Sequence, residues 1–184
     1  MHEYGRQMVH LVFGLGIASI LLVPVPGLAV LIYASGLLGG LMLVEAVLRG
    51  WYVPGIADII GALEREDVFP GKGTVYFVAS ALFCSVAFAP QVAFIAVLSL
   101  TILDSVATIA GLRFGRHKIL KGKTLEGSGA GFFALFLALL PMLHPSAALL
   151  VAGVAALAEL LSPIDDNLVI PAAVGTALTL LPVS

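Results

Sequence analysis

Charge is what this sequence has least of. Only 11% of its 184 residues are Asp, Glu, Lys or Arg, while 60% are hydrophobic; soluble domains carry roughly 25% charged residues. A single domain of this length cannot bury so much apolar surface. That excludes an ordinary soluble chain and points to an integral membrane protein. Cysteine is almost absent as well. The lone Cys84 rules out an internal disulfide and any cysteine-based metal centre, and inside an apolar run it reads as an inert core thiol. The net charge of −2 names no partner, and no nucleic-acid partner is expected. There is no long repeat, low-complexity tail or linker, so residues 1–184 read as one domain. The first apolar run lacks a lysine-rich start and a small-residue cleavage site, so it is expected to stay in the mature chain rather than act as a signal peptide.

What is present is a series of apolar runs. Crossing a bilayer takes about 20 such residues, with a range of about 17–25. Seven segments qualify or nearly so: roughly 8–24, 27–48, 74–90, 91–111, 129–143, 145–161 and 167–183. The short ones imply tilt or a locally thinned bilayer. Pro24-Val25-Pro26-Gly27, Ala89-Pro90-Gln91 and His144-Pro145 supply the turns. The fold class is therefore all-α, a polytopic membrane bundle of about seven transmembrane helices.

The few charges are placed unevenly. Arg6 precedes the first segment; Arg49, Arg65 and Lys72 follow the second; Arg113, Arg116, Lys118, Lys121 and Lys123 follow the fourth; the alternate loops hold no lysine or arginine. The positive-inside rule puts the N-terminus in the cytoplasm and the C-terminus outside. The acids, Asp104, Glu159, Asp165 and Asp166 among them, fall on or near the same side. Acids contribute little to topology, so their one-sidedness calls for a polar site at the cytoplasmic surface. Loops 49–73, 112–128 and 162–167 would form it. Within the first, Ile56, Ile59, Ile60 and Leu63 recur at helical spacing, which suggests a short helix lying on the interface.

Three groups carry chemistry. Asp104 lies about two turns before Arg113, below the membrane surface, and an intramembrane acid is a functional hypothesis by default; an interhelical salt bridge is the structural alternative. Glu159 sits similarly in the sixth segment, whereas Glu45 has Arg49 as an i,i+4 partner. Asp104, Ala107, Gly111 and Gly115 share one helix face, where small residues admit either a phosphate or a second helix. The basic run after them suits lipid headgroups or a polyphosphate. Gly122-Lys123-Thr124 ends like a P-loop, but position 117 is histidine and no strand precedes it, so that fold is excluded. Lysines with glycine-rich backbone amides still cradle a polyphosphate well. Lastly, Asp165-Asp166-Asn167 offers hard oxygens suited to Mg²⁺, with helix capping by Asp166 and Asn167 as the alternative.

The stretch Asp104-x-x-Ala107-x-x-x-Gly111-x-x-x-Gly115-x-x-Lys118, followed by Lys123-Thr124-x-Glu126-Gly127, resembles the CTP-binding motif of the dolichol kinase and phytol kinase family, which includes the CTP-dependent diacylglycerol kinases. Glu3 to His10, Glu64-Arg65 with Pro70-Gly71-Lys72-Gly73, and Glu159 with Asp165-Asp166-Asn167-Leu168 and Pro171 are similar to its other patches. The resemblance implies an integral membrane enzyme, of prokaryotic size, with its site facing the cytoplasm. It would move the γ-phosphate of CTP to the hydroxyl of a polyprenol, phytol-like alcohol or diacylglycerol. It further implies that Gly111, Gly115, Arg116, Lys118, Lys121, Gly122, Lys123, Thr124, Glu126 and Gly127 bind the nucleotide, with Glu64, Arg65 and Lys72 closing over it. Asp104, Asp166 and Glu159 would be catalytic. Asp104, Asp165, Asp166 and Asn167 would hold Mg²⁺. CTP, the lipid alcohol and the bilayer are the expected partners, and a homodimer is allowed. A CTP-dependent lipid cytidylyltransferase and a small transporter are the competing readings. The outer half offers a transport path only serines, a threonine or two and His144.

Overall fold

The computed structural model describes residues 3–51, 71–162 and 164–180. Among them are seven α-helices and no strand: α1 Glu3–Ile20, α2 Leu28–Leu48, α3 Lys72–Ala87, α4 Pro90–Phe114, α5 Leu125–Leu139, α6 Pro145–Leu161 and α7 Asp166–Leu180. A 3₁₀ turn at Leu120–Gly122 interrupts the link between α4 and α5. Glu64, Arg65 and the expected surface helix around Ile56 lie outside the described residues.

Each apolar run contains a helix, but the helix ends follow local polar chemistry. Helix α1 starts well before its apolar run because Glu3 and Arg6 pair across its first turn. Pro90 and Pro145 open α4 and α6 at positions where a missing N–H costs nothing. Thr124 starts α5 ahead of the apolar run: its hydroxyl accepts the Gly127 N–H at 3.2 Å. Asp165, rather than Asp166 or Asn167, does the same for α7, accepting the Asn167 N–H at 3.2 Å.

Helix α4 is the axis of the bundle and packs against α1, α3, α5, α6 and α7. Leu100 and Leu103 from it meet Leu135 and Leu139 of α5, Val151 of α6, and Ile170 and Val174 of α7 in one buried core. Helix α2 packs on α3 at the edge, with Leu31, Leu38 and Met42 exposed. Two helices, α2 and α4, are long and apolar enough to cross a membrane. Helices α3, α5, α6 and α7 are apolar but span only 15–17 residues.

The closest packing joins α4 to α5. A Cβ on Gly131 would stand 2.9 Å from both Ala107 Cβ and the Leu103 carbonyl oxygen, and one on Gly127 would stand 2.6 Å from the Ala107 carbonyl. The small-residue face of α4 is thus occupied by a second small-residue face.

Candidate functional site

The charged residues of five elements meet at one end of the bundle. Lys123, in the loop before α5, reaches Glu159 of α6 at 3.0 Å and Asp166 of α7 at 2.8 Å. Gly122 makes this possible: its φ of +76° is left-handed, and the turn redirects the chain just before the lysine. Lys72, at the start of α3, stands 3.5 Å from Asp165 and lies over the Tyr76 ring. Asp104 of α4 is close enough to interact electrostatically with Lys123, Asp165, Asp166 and Glu159. Lys72, Tyr76, Lys123, Glu159, Ser162, Asp165 and Asp166 line a polar cavity of about 500 Å³.

The electrostatics follow from crowding of like charge. Burial alone would lower the Lys123 pKa, but Asp166 and Glu159 outweigh it and hold the ammonium above its ordinary value. Glu159 is almost wholly buried, and its second oxygen has no hydrogen-bond partner. Asn167 Oδ1 is likewise buried and unpartnered, while Asn167 Nδ2 donates to Asp165 at 2.8 Å. The site is therefore rich in hard oxygen acceptors, and its four carboxylates outnumber the two lysine ammonium groups set among them.

Of the expected site residues, Asp104, Lys72, Lys123, Glu159, Asp165, Asp166 and Asn167 are brought together. Others have different work. Gly111, Gly115 and Gly127 have protein atoms where a side chain would stand. A Cβ on Gly111 would meet Thr124 Oγ1 at 3.0 Å, and one on Gly115 would meet Thr124 Cγ2 at 2.6 Å. The helix-packing contact expected of this spacing is present, and it is compatible with either function. The Gly127 N–H is used by the Thr124 cap, which also accounts for Thr124. Glu126 is a clamp on the loop, not a free ligand. It accepts the backbone N–H groups of Arg116 and His117 at 3.1 and 3.2 Å and pairs with His117 Nδ1 at 2.6 Å. The His117 contact and those amides hold its carboxyl down to about 2. Arg116 and Lys118 are exposed and form no ion pair among the described residues. Lys121 lies in the 3₁₀ turn. The pair Glu45–Arg49 forms on the surface at 2.7 Å.

His10 belongs to the site although nothing in the motifs assigned it a role. Its Nε2 faces Asp104 Oδ2 at 3.7 Å, too long for a hydrogen bond, and its ring stands edge-on to Phe77. The signal that singled out Asp104, a titratable group inside an apolar run, applies equally to it.

Among the described residues, no three His, Cys, Asp or Glu side chains surround a common metal position. The donor chemistry nonetheless fits a hard cation: carboxylates already gather round an ammonium, and two buried oxygens lack partners.

The class so defined is an all-helical bundle with a lysine-bridged carboxylate cluster at one end. The chain is 34% identical over 176 residues to uncharacterized protein MJ1137 of Methanocaldococcus jannaschii, covering 93% of this chain and 90% of that one. It belongs to the same family as that archaeal protein. No protein-family model and no solved structure matches the chain.

Proposed function

We propose that this protein is a seven-span integral membrane enzyme that transfers the γ-phosphate of CTP to the hydroxyl of a membrane lipid alcohol. The observation that carries the reading is the convergence of Lys72 and Lys123 with Glu159, Asp165 and Asp166 around one polar cavity in an otherwise apolar bundle, with Asp104 within electrostatic reach of it. The membrane placement is supported by the outer surface. Phe13, Leu31, Phe133, Leu157 and Leu180 all point away from the core, more exposed apolar area than a soluble monomer tolerates. The choice of CTP rests on the resemblance to the dolichol kinase and phytol kinase family.

Phosphoryl transfer asks for positioning and charge neutralisation. Lys123 and Lys72 would bind the triphosphate, with the exposed Arg116 and Lys118 guiding it. Asp104 would orient the lipid hydroxyl, with His10 behind it as a positioning residue. The hydroxyl oxygen bonds to the γ-phosphorus, the bridging bond to the β-phosphate breaks, CDP leaves, and the hydroxyl proton passes to Asp104. Asp165, Asp166 and the unpartnered Asn167 Oδ1 would hold Mg²⁺, which when bound would neutralise polyphosphate charge, and Asp104, kept for the hydroxyl, stands outside that set.

The test is phosphorylation of a panel of lipid alcohols by purified protein with CTP, alongside Asp104→Asn. Loss of the carboxylate lowers kcat by about 10²–10⁴-fold if it handles the hydroxyl proton. An Asp104→Asn enzyme as fast as wild type removes Asp104 from the chemistry.

A further inference from the structure

A second cavity, of about 690 Å³, opens on the flank of the bundle between α3 and α7. Its lining is apolar. Ala172, Ala173 and Ala177 make a floor of small side chains, with Phe83 and Leu180 as walls. Ile164 lines this groove and the polar cavity alike. The same two helices bound both spaces: Lys72 opens α3, and Asp165 and Asp166 open α7. The opposite face of α7 is committed to packing, since Gly175 sits directly on the Phe88 ring. From Leu168 to Leu180 the groove runs for about 18 Å at a helical rise of 1.5 Å per residue.

A ligand filling both spaces must be apolar along that length and polar at one end. We propose that the α3–α7 groove holds the hydrocarbon chain of the acceptor lipid, whose hydroxyl passes Ile164 into the polar cavity towards Asp104 and Glu159. The inference rests on the lipid-kinase reading for what happens to that hydroxyl. The seat of the chain follows from the groove itself. A passing annular lipid would explain an apolar groove, but not one that shares Ile164 with a carboxylate–lysine cavity. The small floor residues make the seat specific, because a large side chain at Ala173 or Ala177 fills it.

The probe is hexadecanol carrying a mid-chain diazirine, photolysed with the full-length protein in lipid nanodiscs. Labelled peptides are mapped in wild type, Ala173→Trp, the milder Ala177→Leu, and the off-groove control Leu137→Trp. Melting followed through the buried Cys84 thiol verifies that each variant is folded. Label is expected on α3 and α7. It should fall about tenfold in the groove variants, as does the loss of burial of two methylene groups, and remain unchanged in Leu137→Trp. In the turnover assay the KM for hexadecanol rises while that for CTP is unchanged. Label spread evenly over all flanks, or unaltered by both groove variants, overturns the proposal. Selective labelling without phosphoryl transfer from CTP upholds the groove and removes the kinase reading alone.

Discussion

Replacing Lys123 by alanine removes the one ammonium that, among the described residues, pairs with both Glu159 and Asp166. Glu159 cannot compensate by turning to water, because its side chain is 2% exposed, against 24% for Lys123 and 28% for Asp166. Breaking a fully buried pair costs about 3–5 kcal/mol, and an exposed one about 0.2–1 kcal/mol. With one partner buried and two partly wet, the loss should be about 2–3 kcal/mol. For a chain of this size that lowers the melting temperature by about 4–12 °C. Cys84 gives the assay: it is the single cysteine and is buried, so a thiol-reactive fluorophore reports unfolding. Glu159→Gln and the double variant complete a cycle. Contact between the two groups predicts a coupling of about 1–2 kcal/mol, within the range for paired residues. Additive variants, with coupling below about 0.5 kcal/mol, would refute the bridge and with it the assembled site.

Other outcomes follow from the packing and the loop. Gly127→Leu and Gly131→Val force α4 and α5 apart and should destabilise by at least about 1–3 kcal/mol, whereas Gly129→Ala, with nothing near its Cβ, should stabilise α5 by about 0.5–1 kcal/mol; the Cys84 melt reads all three. Glu126 has a depressed folded pKa of about 2, so its contribution is complete above the ordinary glutamate value and lost only as pH falls through about 2. Hydrogen exchange at the Arg116 and His117 amides should therefore stay slow at pH 3 in wild type and become fast in Glu126→Ala; equal rates in both would remove the clamp. His10→Ala should lower kcat without changing the KM for CTP, and a change confined to KM would place His10 outside the reaction.

The sequence showed the helices because each buries or exposes an apolar run. It placed 145–161 at both ends and 27–48 within one residue, but shifted other ends that depend on single polar contacts, such as Glu3 with Arg6 and the Thr124 cap. The site residues that were legible are charges that are costly in an apolar setting: Asp104, Glu159, Lys123 and the Asp165–Asp166 pair. The glycines were legible only as places of close approach, for a physical reason. A missing side chain marks a close approach without saying what approaches, and at Gly111, Gly115 and Gly127 it is Thr124, the α4 backbone or the facing glycine. The clamp made by Glu126 was not legible, since its partners Arg116 and His117 lie across a loop closed only in three dimensions. His10 became visible once α1 packed against α4 and set it opposite Asp104.

The most direct test of the central claim is transfer from CTP labelled separately at the α- and γ-phosphates to a lipid alcohol, with purified protein and Mg²⁺. The account predicts label in the lipid from the γ position alone, dependent on Asp104 and Lys123. Label from the α position, found only with phosphorylated lipids, would make the protein a cytidylyltransferase. Transfer from neither position would contradict the enzymatic account.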